Sequence, residues 1–412
     1  MDGRHLERHD VMAVTDYLSR RRTSKRPGLC ADKGVQMSKR MTIMGIVTAA
    51  TMTLAGCGGG GPVSQPAGSG DAAGIQAAKD YLASVSSNPV GLTLKEPLSK
   101  APAQGKYIIL LLTGEPIAKR KSDAMAAAAK VLGWKYDTIA VSATAEGPQQ
   151  AMQSAISKHP DGICFSGFPG SAFGTAMADA QKAGIPVLAD TVAEKAAGPV
   201  ISTALDNDAQ VANWGKMVAA QFVVDSNGTG KGASFTITEY PILVAWQKAL
   251  KAAVEQWCPK CELTDVATPA ADIGTKLPAS VVSTFQRDPS RKYAMFSIGD
   301  QTLGLRPALA AAGLGDVKVL GESPTEANLG AVKAGTESAW TGFPNTVLGW
   351  RIMDMWARHF NGDDLAPAEK ALLPLQMITQ KNINDVVLTP EGDYYLGVKD
   401  YQAEFKKLWR IS

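Results

Sequence analysis

The chain has 412 residues, 45% of them hydrophobic and 20% charged, and 42 Lys and Arg against 39 Asp and Glu give a formal net charge of +3. Ten of those 42 basic residues and five of the 39 acidic ones precede Cys57, leaving 32 basic and 34 acidic residues in the rest. A slightly acidic body excludes binding to nucleic acid through net charge, and four histidines leave little for histidine-centred catalysis.

In chain order, Ser38-Lys39-Arg40 is followed by the apolar run Met41 to Leu54, then by Leu54-Ala55-Gly56-Cys57 and four glycines. A basic start, a short apolar stretch and small residues before a cleavage point make a signal peptide. The stretch falls short of the ~20 residues that span a bilayer. The Leu-Ala-Gly-Cys segment resembles the lipobox of bacterial lipoproteins, which implies that Cys57 is lipidated and begins the mature protein. Residues 1–56 are thus expected to be leader and signal peptide, and Met37 opens a complete signal by itself, so 1–36 reads as an over-extended start. The expected location is extracytoplasmic, with a lipid anchor in the cell membrane.

Residues 57–104 read as a Gly/Pro/Ser tether and an N-terminal helix, Ile75 to Val85. From Lys106 apolar strands alternate with amphipathic helices. Strands are predicted at Tyr107 to Leu112, Asp137 to Val141, Gly162 to Phe165 and Ile185 to Leu188. The helices between them are Ser122 to Leu132, Pro148 to Lys158 and Ala172 to Lys182. A second series has strands Ala233 to Ile237, Glu262 to Val266, Tyr293 to Ile298 and Val317 to Leu320. Its helices are Ile242 to Trp257, Pro278 to Gln286 and Leu303 to Ala312. The tail adds strand-like runs at Leu375 to Ile378 and Val386 to Leu388, and a helix Tyr401 to Trp409. Two α/β blocks predict two doubly wound parallel-sheet lobes. Lobe 1 is assigned 105–224 plus 322–370, and lobe 2 is assigned 225–321 plus 371–412.

Cys164 lies in an apolar run and reads as a buried thiol. Cys258 and Cys261 follow a helix, whereas a redox pair wants its first thiolate at a helix N-terminus. In an oxidising compartment the pair reads as a local structural disulfide.

Residues 104–390 resemble the type I periplasmic binding proteins, in particular the ribose-binding-like receptors of ABC transporters. The segments that carry the likeness are Tyr107 to Leu112, Ala183-Gly184-Ile185-Pro186-Val187-Leu188-Ala189-Asp190, Phe296 to Gly304, and Val319-Leu320-Gly321-Glu322. The resemblance implies two lobes joined by three crossovers with a solute held between them. It also implies permease and ATPase partners, no cofactor or metal, and a monomer. Ligands of open parallel sheets bind beyond the carboxyl ends of strands. The candidates are therefore Thr113, Glu115, Ser166, Phe168, Asp190, Thr191, Tyr240, Trp246, Asp300, Glu322 and Phe343. Each has a plain structural reading beside it: Asp190 and Asp300 as caps, Trp246 as core, Glu322 as cap or hinge.

Departures from the family pattern shift the expected solute. Thr191 stands where sugar binders carry an arginine, Trp246 near the place of another, and Gly342-Phe343-Pro344 in place of a glutamine. Losing such groups tilts the pocket away from sugar hydroxyls toward a more apolar, aromatic or differently charged ligand. No G-x-S-x-G, H-E-x-x-H or P-loop motif is present, so no enzyme is expected. A sensory lipoprotein with the same cleft is the alternative reading, and a carboxylate-based hydrolase a remote one.

Overall fold

Short apolar runs decide where the sheets form. In the computed structural model, which describes residues 69–386 and 397–412, these runs become strands buried on both faces. The signal peptide, Cys57, the tether as far as residue 68 and the expected strand at Val386 to Leu388, past its first residue, lie outside the described residues.

After helix α1 (Ser69–Ser84), the first lobe runs β1 (Tyr107–Leu112), α2 (Pro116–Leu132), β2 (Lys135–Ala140), α3 (Gly147–Ile156) and β3 (Gly162–Ser166). It closes with α4 (Ala176–Lys182), β4 (Val187–Asp190) and β5 (Val200–Leu205). Its five strands are all parallel, in the order β2-β1-β3-β4-β5. The second lobe runs α5 (Asp208–Asp225), β6 (Lys231–Ile237), α6 (Pro241–Trp257), β7 (Glu262–Thr268), α7 (Leu277–Arg287), β8 (Tyr293–Phe296), α8 (Leu305–Ala311), β9 (Lys318–Glu322), α9 (Glu326–Lys333) and β10 (Ala339–Thr341). The chain then forms α10 (Asn345–Asn361), α11 (Ala366–Lys370), β11 (Met377–Thr379) and α12 (Tyr401–Leu408). The second sheet has the order β11-β10-β9-β8-β6-β7 and is parallel except for β11. Within 107–379 the chain crosses between lobes three times, at 206–207, 342–344 and 371–376.

The lobe boundaries differ from those expected, for packing reasons. α5 belongs to lobe 2, because Gly215 lets its backbone lie against α6: a Cβ there would meet the Trp246 carbonyl oxygen at 2.6 Å. Residues 322–341 also belong to lobe 2, because β9 pairs with β8 (Phe296 opposite Gly321) and carries β10 beside it. α12 returns to lobe 1, where Trp409 stacks on Trp350 at 5.2 Å and its indole donates to Asp354 of α10. The tether-side segment is split: α1 packs on α5 in lobe 2, whereas Leu98 and Ala103 bond to Leu408 and Trp134 in lobe 1.

Cys258 and Cys261 are joined in a disulfide just past α6. Cys164 is a free, buried thiol that accepts a 2.9 Å hydrogen bond from the Trp356 indole, and burial pushes it up to about 12.

Candidate functional site

The two sheets repeat one winding. Counting strands within each lobe, the order is 2-1-3-4-5 in the first and 2-1-3-4-5-6 in the second, so the order reverses between β1 and β3 in lobe 1 and between β6 and β8 in lobe 2. Crevices at such reversals take ligands at the carboxyl ends of the strands. Here the two crevices face each other and share one cavity lined from both sides. Lobe 1 contributes Thr113, Glu115, Ser166 and Thr191, and lobe 2 contributes Tyr240, Ile298 and Glu322. The crossovers add Asp206 and Phe343, and α10 adds Asn345 and Leu348. Most of the remaining wall is apolar, from Ile117, Val211, Ile242 and Leu243.

The lobes touch at the rim. The Tyr240 hydroxyl donates to Glu115 across the cleft, and the Phe168 ring meets Tyr240 edge-on at 5.6 Å. The start of α2 shows why Asp300 sits where it does. Pro116 has no N–H to satisfy, and the next amide, Ile117, donates to the Asp300 carboxylate at 3.2 Å. An acidic side chain of one lobe thus caps a helix of the other, where the helix dipole favours negative charge. Burial raises the Asp300 carboxyl above the usual range; Arg120 and the Ile117 amide oppose that rise.

Inside the cleft, Lys121 is 6% exposed, held by the close approach of α10 to α2 at Gly349, where a Cβ would lie 2.9 Å from the Lys121 carbonyl oxygen. Its ammonium donates at 2.5 Å to both Asp190 and Ser166, and Ser166 and Thr191 donate in turn to Asp190. Asp190 therefore stands behind the cavity wall, closed by donors from α2, β3 and its own neighbour.

Asp206 and Glu322 are different. They are 3% and 4% exposed, and one oxygen of each, Oδ1 and Oε2, is buried without a hydrogen-bond partner. Burial and the Asp206 charge hold the Glu322 carboxyl well above the ordinary range. Burial pushes Asp206 up to about 7, partly opposed by Thr191. Thr191, Asp206 and Ser323 have φ of 56°, 52° and 58°, a left-handed backbone that non-glycine residues rarely adopt. Three strained residues converging on one cavity mark a place where the fold holds side chains at some cost.

The raised carboxyl fixes the sign of a pH effect. A group whose folded pKa lies above its unfolded value stabilises the fold fully below the unfolded value, and loses that contribution as pH rises through the folded one. The window for Asp206 runs from its ordinary value of 3.8 up to about 7. The ligand-free protein is expected to melt higher at about pH 5 than at about pH 7.5, and Asp206→Asn to flatten that difference. Differential scanning calorimetry of both forms checks this, and an unchanged slope in the variant would remove Asp206 as its source.

Of the eleven residues put forward from sequence, seven line the cavity: Thr113, Glu115, Ser166, Thr191, Tyr240, Glu322 and Phe343. Four do not. Phe168 braces Tyr240, Asp190 neutralises Lys121 and Asp300 caps α2. Trp246 is wholly buried in the core, as its place on the apolar face of α6 dictates. Lys121, Asp206 and Asn345 were missed. The only trace of Lys121 is a lone cation on the buried, alanine-rich face of a helix. Asp206 and Asn345 lie at crossovers with no motif to announce them. Among the described residues no group of three or more His, Cys, Asp or Glu is placed to hold a metal ion.

The family pattern described as periplasmic binding protein domain matches residues 107–364, more than half of the chain. The chain belongs to that family. The fold of this periplasmic binding protein is that of its type I members. A solved ABC transporter solute-binding protein from Agrobacterium vitis with bound allitol is similar at 20% identity, with 68% of this chain and 98% of that one covered and a TM-score of 0.60. One from Mycobacterium smegmatis with bound glycerol is similar at 17% identity, covering 71% and 99% of the two chains, with a TM-score of 0.60. A third, from Actinobacillus succinogenes with bound D-allose, shares 14% identity over 68% and 99% of the chains, with a TM-score of 0.57. None of the curated proteins searched matches this sequence.

Proposed function

We propose that this protein is the extracytoplasmic solute-binding subunit of an ABC importer, held at the membrane through lipidated Cys57. It captures one small organic solute between its lobes and presents the closed form to a permease driven by an ATPase. The observation that carries the reading is the cavity walled by both lobes at both strand-order reversals. A solute touching both walls stabilises the closed arrangement relative to the open one, and only such differential contact shifts a conformational equilibrium. The family supports solute capture, and the related structures named above hold a polyol, glycerol and a sugar. The protein is read as a carrier and not as an enzyme, in keeping with the family it belongs to.

A thermal-shift panel of sugars, polyols, their amino derivatives, aromatic acids and nucleosides on the full-length protein tests this. At a hundredfold excess over Kd a bound solute contributes about 2.7 kcal/mol, so one class should raise the melting temperature by several degrees. Absence of a shift across the whole panel would refute solute capture.

A further inference from the structure

We propose that the cleft is built for a solute bearing a positively charged nitrogen, such as an amino-substituted polyol, and that Asp206 and Glu322 receive that nitrogen. The proposal rests on the solute-binding reading and deepens it.

Charge comes first. Among the residues lining the cavity, Glu115, Asp206 and Glu322 are acidic and Lys121 alone is basic. Lys121 is already committed to Asp190, at 2.5 Å and with both side chains buried. The cavity therefore presents carboxylates with no lining cation left to answer them. A neutral solute leaves that imbalance in place, whereas an ammonium group cancels part of it.

Hydrogen bonding is the second, independent observation. Asp206 Oδ1 and Glu322 Oε2 are acceptors more than nine-tenths buried and lack any donor. Leaving a buried acceptor unmet is costly, and more so for a charged one. An ammonium carries three donors and no acceptor, the complement of two such oxygens. The left-handed backbone at Asp206 and Ser323 holds this corner of the cavity in a conformation that a purely structural turn would assign to glycine.

The rings complete the case. Tyr240 and Phe343 line the same space, and a cation within ~6 Å of an aromatic face is attracted by the ring, more strongly when desolvated. Substituents on the same solute would lie against the apolar wall of Ile117, Ile242 and Leu243.

Protons follow from the geometry. The charged groups around the pair are Asp190 at the end of β4, Lys121 on α2 and Glu115 ahead of α2. Burial pushes Asp206 up to about 7, and burial beside the Asp206 charge holds Glu322 well above its ordinary range, so in the empty cleft both favour the protonated form. A bound ammonium favours both ionised carboxylates, so binding releases a proton to solvent, and affinity rises as pH increases through about 7.

The experiment is isothermal titration of the full-length protein with matched pairs: glucamine against sorbitol, and glucosamine against glucose. At least one amine should bind about tenfold or more tighter than its hydroxyl parent, as expected for a charge-assisted contact. The released proton is taken up by the buffer, so heats in phosphate and in Tris should differ by the difference between the two buffers' ionisation heats for each proton released. Glu322→Gln should bring the amine-to-parent ratio near one while circular dichroism stays unchanged. Should that variant fail to fold, the two-buffer comparison on the unaltered protein decides. Equal or tighter binding of the neutral parents, or amine binding without proton release, overturns the proposal and leaves the receptor reading intact. If neither set binds but another solute in the panel does, the proposal falls alone; if no solute binds, both fall.

Discussion

Lys121→Met is expected to lower the unfolding free energy by about 3–5 kcal/mol, the usual loss when one partner of a buried ion pair is removed. The reason lies in what is left behind. Asp190 is 1% exposed and would keep only Ser166 and Thr191 as donors, with no cation to balance its charge. Desolvation would then force it to take a proton or draw in water. Lys121→Met combined with Asp190→Leu should recover most of the loss, because replacing both members of a buried pair by apolar groups is often neutral. Urea unfolding of the two single variants and the double variant measures this. Additive losses would show that the two side chains do not act as a pair. The same arrangement warns against Asp190→Ala as a probe of solute contact, since it strands the ammonium and confuses stability with affinity.

The second large effect falls on Trp246. Its ring is wholly buried on α6, whose backbone at this residue lies against Gly215 of α5. Trp246→Ala is expected to cost about 3–5 kcal/mol, the range for truncating a buried tryptophan. Trp246→Phe should cost much less, because the indole nitrogen has no hydrogen-bond partner and the smaller ring leaves none stranded. Neither change should alter solute affinity in the fraction that remains folded, since Trp246 does not line the cavity. A Kd that rises with Trp246→Phe at unchanged stability would return this residue to the binding site.

Much of the fold was legible because parallel strands buried on both faces must be apolar throughout. Tyr107–Leu112 is such a run, and its predicted bounds are those observed. The α5 and α10 segments were not foreseen, for the opposite reason. α10 is buried on every side from Asn345 to Arg358, including Arg351, Asp354 and Arg358, so no polar stripe marks its helical period. Its charges are met partly within the helix, where Arg358 donates to Asp354, and otherwise by groups beyond it: Arg358 donates to the Glu96 carbonyl, Arg351 to those of Ala368 and Ala371, and Trp409 to Asp354. The misplaced lobe boundaries follow from those omissions, because these two helices lie beside the crossovers at 206–207 and 342–344.

The cavity divides in the same way. Thr113, Glu115, Ser166, Tyr240 and Glu322 were visible because each ends or follows a readable strand, and the winding order places such residues at the crevice. By itself the sequence determined the alternation of strands and helices, the two-lobed winding and the loops from which a site is made, since these depend on local apolar runs and turn chemistry. Only the tertiary structure decided the charge of the site. It paired Lys121 with Asp190 across 69 positions and left one oxygen each of Asp206 and Glu322 buried at the cavity without a donor. Whether a buried carboxylate is neutralised depends on which distant groups the packing brings within hydrogen-bond reach, and no local pattern records that distance.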